Sequence, residues 1–115
     1  MVIKLGIIGY KNHAERLGDI IHSMKIYEVK FYHPTKKNKN ITNNFQDLLE
    51  LDAVIISSPN STHYEYIKKL IKNNYSGYIF CEKPPAVNKI QLNYLKKLNK
   101  NIKSKIFFNF NYRFS

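Results

Sequence analysis

Apolar and polar residues alternate along this chain with two different periods, which predicts strands and helices in turn. Short runs rich in β-branched and aromatic residues are typical of strands, and they lie at positions 2–8, 28–33, 53–57, 77–81 and 105–110. Between these runs, apolar residues recur every third or fourth position, as on one face of an amphipathic helix. The helical stretches are 13–24, 45–51, 63–73 and 88–99.

Strands that alternate with helices predict parallel βαβ units, whose crossovers should be right-handed. The run at 53–57 is apolar almost throughout, which is typical of a strand covered on both faces. We therefore expect an α/β protein with a Rossmann-like doubly wound parallel sheet of about five to six strands. In the 88–99 helix, the residues expected to face the core are Ile90, Leu92, Leu95 and Leu98.

One crossover is unusually short. Only residues 34–44 separate the second strand from the helical stretch at 45–51, and they are mostly polar, with four Asn and three Lys. Parallel strands usually need a connection of a dozen or more residues. We expect the helix between strands two and three to be shortened or lost, and any strand near residues 40–42 to be short or absent.

Length and composition exclude several classes of protein. The 115 residues suit one domain, which we place over residues 1–115. The content of 43% apolar residues argues against a disordered chain, and Cys81 as the only cysteine excludes an internal disulfide. The longest apolar runs are too short to span a bilayer, and no signal peptide is visible at the start. We therefore expect a cytoplasmic protein with no membrane partner.

The chain is strongly basic. Its 19 Lys and Arg residues against 8 Asp and Glu residues give a net charge of +11. Such a balance is compatible with nucleic-acid binding. Yet the composition has 17 Lys, 14 Asn and 15 Ile, which the codon bias of an AT-rich genome would also produce. The lysines are not interleaved with exposed aromatic residues on one stretch, as a base-stacking surface requires, so we do not expect a nucleic acid as the main partner.

The turn after the first strand is a candidate phosphate-binding site. In dinucleotide-binding folds this turn has the pattern G-x-G-x-x-G/A and holds the pyrophosphate at a helix N-terminus. Gly9 and Ala14 fit the first and third positions, and Lys11 replaces the second glycine. The Lys11 side chain would either block the approach of the phosphates or supply an ammonium group to them. We take Gly9, Tyr10, Lys11 and Asn12 as cofactor-binding candidates, with an ordinary strand–helix turn as the alternative.

The end of the second strand is a candidate ribose-binding position. Dinucleotide-binding folds often have Asp or Glu there for the ribose hydroxyls, but this chain has His33, followed by Lys36, Lys37 and Lys39. The lysines would favour a 2′-phosphate, so any cofactor bound here is expected to be NADP in preference to NAD. The alternative is a solvated lysine loop that binds neither.

Three segments together carry a resemblance to a known family. The stretch 52–88 contains S-P-N-S-T-H, then a predicted helix and strand, then C-E-K-P. This combination resembles the Gfo/Idh/MocA oxidoreductases, and the opening LGIIGYKNHAERL and the ending FFNFNYRFS are similar to the same family. The resemblance implies the N-terminal NAD(P)-binding Rossmann domain of a sugar or polyol dehydrogenase relative, without the second domain that supplies most substrate contacts.

The resemblance also implies roles for individual residues. Ser58, Pro59 and Asn60 would line the cofactor, and His63 would open the next helix beside them. Glu82 and Lys83 would end strand five, with Lys83 near the nicotinamide as the catalytic residue. Arg113 would lie at the junction with a second domain. No metal site is implied.

Three functions remain open from the sequence. The first is a domain that binds NAD or NADP, weakly if at all, and that has no dehydrogenase activity alone. The second is a stand-alone, non-catalytic interaction module that has lost the cofactor, and the third is a basic nucleic-acid-binding domain. The aromatic C-terminal strand further predicts a homo-oligomer; its aromatic residues are Phe107, Phe108, Phe110, Tyr112 and Phe114.

Overall fold

A computed structural model describes residues 3–9, 27–81, 86 and 88–108, with the backbone alone at Tyr27 and Asn60. Its six strands form one sheet in which every neighbouring pair is parallel, in the order β3-β2-β1-β4-β5-β6. The strands are β1 (Ile3–Ile8), β2 (Tyr27–Tyr32), β3 (Ile41–Thr42), β4 (Ala53–Ile56), β5 (Tyr78–Cys81) and β6 (Ile106–Phe107). The order reverses between β1 and β4, so the predicted Rossmann-like α/β fold is confirmed.

Five short helices are described after the third strand. Two are 3₁₀ helices, at Phe45–Glu50 and Asn60–Thr62, and three are α-helices, named α1 (His63–Lys72), α2 (Lys89–Lys96) and α3 (Lys100–Lys103). The helix predicted at 13–24 lies outside the described residues. None of the described helices has the length and apolar character needed to cross a membrane.

Asparagine side chains start three of these helices. Asn44, Asn88 and Asn99 each accept a hydrogen bond from a backbone N–H in the first turn of the helix that follows. Such caps satisfy donors that a helix start leaves unpaired. The helix predicted over 88–99 is confirmed at Lys89–Lys96 but ends three residues early, and Asn99 caps a separate short helix, α3, that the apolar spacing does not predict.

The sheet is packed on both faces. One face holds the larger cluster, in which Ile8, Val54 and Ile56 lie beneath the buried residues Ile67 and Leu70 of α1. The other face holds a smaller cluster around Leu5, Ile7, Phe31, Ala53 and Ile55. Alternate residues of β1 and β4 thus enter opposite cores, which explains the continuous apolar run in the sequence.

The inward face predicted for the 88–99 helix is half wrong. Leu95 is buried and Leu98 is partly buried, as predicted. Ile90 is 82% exposed and Leu92 is 38% exposed. The helix has only eight residues, and it contacts the larger cluster through Tyr94 and Leu95 near its end.

The short crossover contains no helix, as predicted. Residues 33–40 connect β2 to β3 directly, and β3 has only two residues. Phe31 and Tyr32 pair with Ile41 and Thr42 in parallel register. The chain therefore turns back beside the end of β2 within eight residues.

Candidate functional site

The carboxyl ends of three neighbouring strands are joined into one edge. The Gly9 N–H donates to the Tyr32 carbonyl oxygen at 3.0 Å, and the Ser57 N–H donates to the Ile8 carbonyl oxygen at 2.9 Å. These two bonds continue the ladder of β2, β1 and β4 by one residue beyond the strands. In open α/β sheets, ligands bind outside this edge where the strand order reverses.

Gly9 allows the turn after β1 to approach the loop after β4. Its φ angle is +105°, a conformation that other residues rarely adopt. A Cβ atom there would lie 3.0 Å from the Ser58 nitrogen and 3.1 Å from the Ser57 carbonyl carbon and oxygen. The predicted site residues Gly9 and Ser58 are therefore neighbours, and only glycine fits between the two segments.

The loop after β4 is held by its own hydroxyl groups. The Thr62 Oγ1 lies 2.6 Å from both the Pro59 carbonyl oxygen and the Ser58 Oγ. A carbonyl oxygen can only accept, so Thr62 donates to Pro59 and accepts from the Ser58 hydroxyl. The Thr62 N–H also donates to the Pro59 carbonyl oxygen at 2.9 Å. These bonds fix the segment 58–62 as a compact turn leading into α1.

His63 opens α1, as predicted, but its ring faces the interior. The side chain is fully buried, and its Nε2 lies 2.9 Å from the Ser58 carbonyl oxygen. That oxygen accepts only, so Nε2 carries a proton. His63 supports the loop from beneath and offers no surface to a ligand at the edge.

Ser57 is a further residue of this edge that sequence reasoning missed. Its hydroxyl oxygen is buried and has no hydrogen-bond partner among the described residues. A buried hydroxyl without a partner costs about 1–3 kcal/mol, so this atom suits a polar group bound at the edge. The sequence signal is the doubled serine of S-S-P-N, in which Ser57 directly precedes the predicted site residue Ser58.

His33 lies at the same edge, directly after the residue that accepts from Gly9. Its Nδ1 accepts from the N–H groups of Thr35, at 3.1 Å, and Lys36, at 2.8 Å. The Asn43 side-chain amide donates to the backbone carbonyl oxygens of His33, at 2.7 Å, and Lys36, at 2.9 Å. His33 therefore organises the loop as well as ending the strand.

An aromatic cluster supports the end of β2 from the larger core. The Tyr32 ring meets those of Phe45 and Tyr66 edge-on, at centroid distances of 5.4 and 6.2 Å. Burial raises the pKa of both Tyr32 and Tyr66, and the neighbouring Tyr32 raises that of Tyr66 further. Both phenols are therefore protonated at neutral pH, and their role here is packing.

Several predicted site residues lie outside the described part of the chain. They are Tyr10, Lys11, Asn12, Glu82, Lys83 and Arg113, together with the side chain of Asn60. Cys81, the residue before Glu82, ends β5 and pairs with Ile56 of β4. The edge described by the structure thus unites Gly9, His33, Ser58 and Pro59.

Comparison with known proteins gives one family match. The family described as "Oxidoreductase family, NAD-binding Rossmann fold", the GFO_IDH_MocA family, matches residues 3–110. No curated protein sequence matches this chain.

Solved structures share the fold at low sequence identity. The apo scyllo-inositol dehydrogenase of Lactobacillus casei superposes with a TM-score of 0.72 and 18% identity, over 93% of this chain and 36% of its own. The myo-inositol 2-dehydrogenase of Lactobacillus plantarum superposes with a TM-score of 0.71 and 20% identity, over 94% of this chain and 36% of its own. The WlbA dehydrogenase of Chromobacterium violaceum was solved with NADH and UDP-GlcNAcA. It superposes with a TM-score of 0.70 and 16% identity, over 93% of this chain and 34% of its own. The chain spans about a third of the length of each.

Proposed function

Because this chain belongs to the Gfo/Idh/MocA oxidoreductase family, whose NAD-binding Rossmann fold it matches over residues 3–110, we propose that it binds a nicotinamide dinucleotide. The ligand lies across the carboxyl edge of β2, β1 and β4. This stretch of chain supplies the cofactor half of an oxidoreductase.

The observation that supports this proposal is the joined edge itself. Gly9 has a positive φ angle, and its N–H donates to the end of β2 while Ser57 donates to the end of β1. In dinucleotide-binding folds, a glycine at the first position of this strand–helix turn allows the tight turn that leads to the pyrophosphate site. The result is a joined edge of three strands at the point where the strand order reverses.

The described residues fit such a ligand. Ser57 provides a buried hydroxyl without a described partner. The hydroxyl of Ser58 donates to Thr62, so its oxygen keeps lone pairs for a ribose hydroxyl or an amide. When bound, a nicotinamide ring supplies hydride chemistry. Lys83 is our candidate for the residue beside that ring, and Asn60, Glu82 and Arg113 are proposed to complete the site.

Catalysis needs more than this stretch. Hydride transfer requires a substrate held close to the nicotinamide in a reactive pose. The chain covers about a third of the dehydrogenases that share its fold, and we propose that a second domain or chain supplies the substrate pocket. With it, the protein would oxidise a hydroxyl of a sugar or polyol; without it, we expect binding and no turnover.

Calorimetric titration with NAD, NADH, NADP and NADPH at moderate salt tests the binding proposal. We expect saturable one-site binding to at least one of them, weakened by Lys83→Ala and by Asn60→Ala. Lys103→Ala, on exposed α3, is the charge-matched control and should leave the affinity unchanged.

Two other results would each replace the proposal. No binding at millimolar cofactor would overturn the proposal and leave the non-catalytic interaction module as the alternative. Tight, strongly salt-dependent binding to DNA or RNA instead would identify a nucleic-acid-binding domain.

We further propose that copies of the chain associate through the aromatic surface of β5 and β6. Tyr78 is 50% exposed and Phe107 is 43% exposed, and the Phe107 ring stacks on Phe80 at 5.1 Å. Exposed apolar groups that adjoin one another favour association. Light scattering over a concentration series should show a dimer that Phe107→Ser abolishes. Ile90→Ser, which also removes an exposed apolar side chain, is the control; a monomer at every concentration contradicts the proposal.

A further inference from the structure

The histidine that follows β2 has one ring nitrogen without a hydrogen bond among the described residues, and that nitrogen is a hydrogen-bond donor. We infer that His33, with the lysines of the loop after it, selects a dinucleotide carrying a 2′-phosphate on its adenosine ribose, as in NADP. The inference rests on the proposed function, because it concerns the same edge of the sheet.

The hydrogen bonds of the ring determine where its proton lies. The N–H groups of Thr35 and Lys36 both point to Nδ1, at 3.1 and 2.8 Å. A backbone N–H can only donate, so Nδ1 is the unprotonated acceptor and the proton of the neutral imidazole lies on Nε2. Among the residues that the structure describes, none forms a hydrogen bond with Nε2.

A hydrogen-bond donor at this position favours a 2′-phosphate over the free ribose hydroxyl that an acidic residue there would bind. An Asp or Glu at the end of the second strand accepts hydrogen bonds from ribose hydroxyls and repels a phosphate there. The Nε2–H of His33 donates, and its natural partner is an oxygen that only accepts. A phosphate monoester offers three such oxygens, whereas a ribose hydroxyl offers a single weaker acceptor.

The loop around His33 is built to hold this arrangement. The Asn43 amide joins the carbonyl oxygens of His33 and Lys36, at 2.7 and 2.9 Å. The His33 N–H donates to the Thr42 carbonyl oxygen at 3.1 Å, which ties the ring's own backbone to β3. Since no helix separates β2 from β3, the eight-residue loop stays beside the strand end.

The charge of the loop has one sign. Residues 33–44 include Lys36, Lys37 and Lys39 and no Asp or Glu. The next carboxylate in the chain is Asp47, which accepts from the Thr42 hydroxyl at 2.6 Å. A dianionic phosphate would therefore meet cationic side chains at this end of the edge.

Adenosine bisphosphates test the inference without the nicotinamide half of the ligand. The probes are adenosine 2′,5′-bisphosphate, its 3′,5′ isomer and adenosine 5′-monophosphate, titrated calorimetrically into the full chain at fixed ionic strength. One charge-assisted hydrogen bond corresponds to about a tenfold preference or more. We expect the 2′,5′ isomer to bind at least about tenfold more tightly than both other probes. NADPH should bind more tightly than NADH by a similar factor.

Two variants separate the donor from the general charge of the loop. His33→Asp keeps an acceptor for the N–H groups of Thr35 and Lys36, because Asp side chains commonly accept such bonds in turns, but it removes the donor. It should fold normally and lose or reverse the preference for the 2′-phosphate. His33→Gln has both an acceptor and a donor, so it should keep part of the preference for the 2′-phosphate. Lys100→Ala is a distant charge control and should keep the whole preference.

The outcomes distinguish this inference from the proposed function. Equal binding of the 2′,5′ and 3′,5′ isomers would show general charge attraction and overturn the role of His33. NADH binding as tightly as NADPH would overturn it too, while leaving the proposed function in place. Failure of every dinucleotide and every adenosine probe to bind would overturn both.

Discussion

One histidine links the candidate site to the interior of the molecule. His63 is fully buried and holds the Ser58 carbonyl oxygen at 2.9 Å. Ser58 in turn contacts the position of Gly9 and bonds with Thr62. The geometry of the loop after β4 therefore depends on a side chain that no ligand at the edge can touch.

Replacing His63 should weaken the fold and the site together. In His63→Leu the Ser58 carbonyl oxygen loses its partner, and we expect the free energy of unfolding to fall by about 1–3 kcal/mol. The affinity for dinucleotide should fall as the loop relaxes. Urea unfolding and calorimetry measure the two effects, with Glu65→Gln on the exposed face of α1 as the control. Unchanged unfolding would contradict the structural role of His63.

Tyr75 makes stability depend on alkaline pH. Its hydroxyl donates to the Leu51 carbonyl oxygen at 2.9 Å, and burial, with the charge of Asp52 second, raises its pKa. The unfolded chain loses this proton above about pH 10 while the folded chain retains it. Stability should therefore be full below that pH and fall as the pH rises above it.

The variant Tyr75→Phe tests this reasoning. At neutral pH it should be less stable by about 1 kcal/mol, because it lacks the hydrogen bond to Leu51. Above about pH 10 the difference from the parent should narrow, since the variant has no proton to lose at this position. Urea unfolding at both pH values gives the two differences. A difference that stays constant would refute the linkage.

At the scale of elements, the start of β5 depends on close packing around Gly77. A Cβ there would meet the hydroxyl of Tyr75 and lie 2.5 Å from the Asp52 carbonyl oxygen. A Cβ at Gly6 in β1 would instead meet the side-chain ends of Leu48 and Leu51, at 2.9 and 2.8 Å. The clash at Gly77 therefore involves a backbone atom, whereas the clash at Gly6 involves only the ends of flexible side chains.

Gly77→Ala should therefore destabilise the chain more than Gly6→Ala. Overpacking typically costs about 1–3 kcal/mol, and we expect Gly77→Ala near the upper end and Gly6→Ala near the lower. Comparison of their urea midpoints, at equal slope, measures the difference. Equal losses of stability in the two variants would contradict this, because they would mean that the backbone before β5 shifts as easily as the side chains of Leu48 and Leu51.

The sequence was most informative where an element has a strong period and least where local hydrogen bonds decide. The strands β1, β4 and β5 were predictable because their apolar runs are bounded by turn residues. The break between α2 and α3 was not, because the apolar spacing continues from Leu95 through Leu98 to Ile102, although α2 ends at Lys96 and Asn99 caps the start of α3. Likewise the spacing did not reveal that Ile90 is exposed, since a helix of eight residues touches the core along part of its length.

The candidate site was predictable in position but only partly in chemistry. Strand ends and the glycine turn located Gly9, His33 and Ser58, because parallel strands finish at one edge. The inward orientation of the His63 ring and the buried hydroxyl of Ser57 depend on tertiary packing. A pattern of residue types does not encode which way a side chain turns at a helix start.

At the scale of the whole molecule, the net charge of +11 opposes compactness. Like charges repel, and salt screens them over about 10 Å at 0.1 M. We expect the thermal midpoint to rise with sodium chloride, and the affinity for dinucleotide to fall over the same range, because its phosphates meet cations. Thermal scans and calorimetry in a salt series measure both trends. A midpoint that falls with salt would mean that attractive charge pairs outweigh repulsion.

The joined edge of the sheet also limits which amides a bound anion can use. The N–H groups of Gly9 and Ser57 already donate to Tyr32 and Ile8, so neither is available to a phosphate oxygen. Both amides should exchange their hydrogens slowly in the free chain, since release requires the strand ends to separate. A ligand on this edge therefore rests on a framework already formed before it arrives.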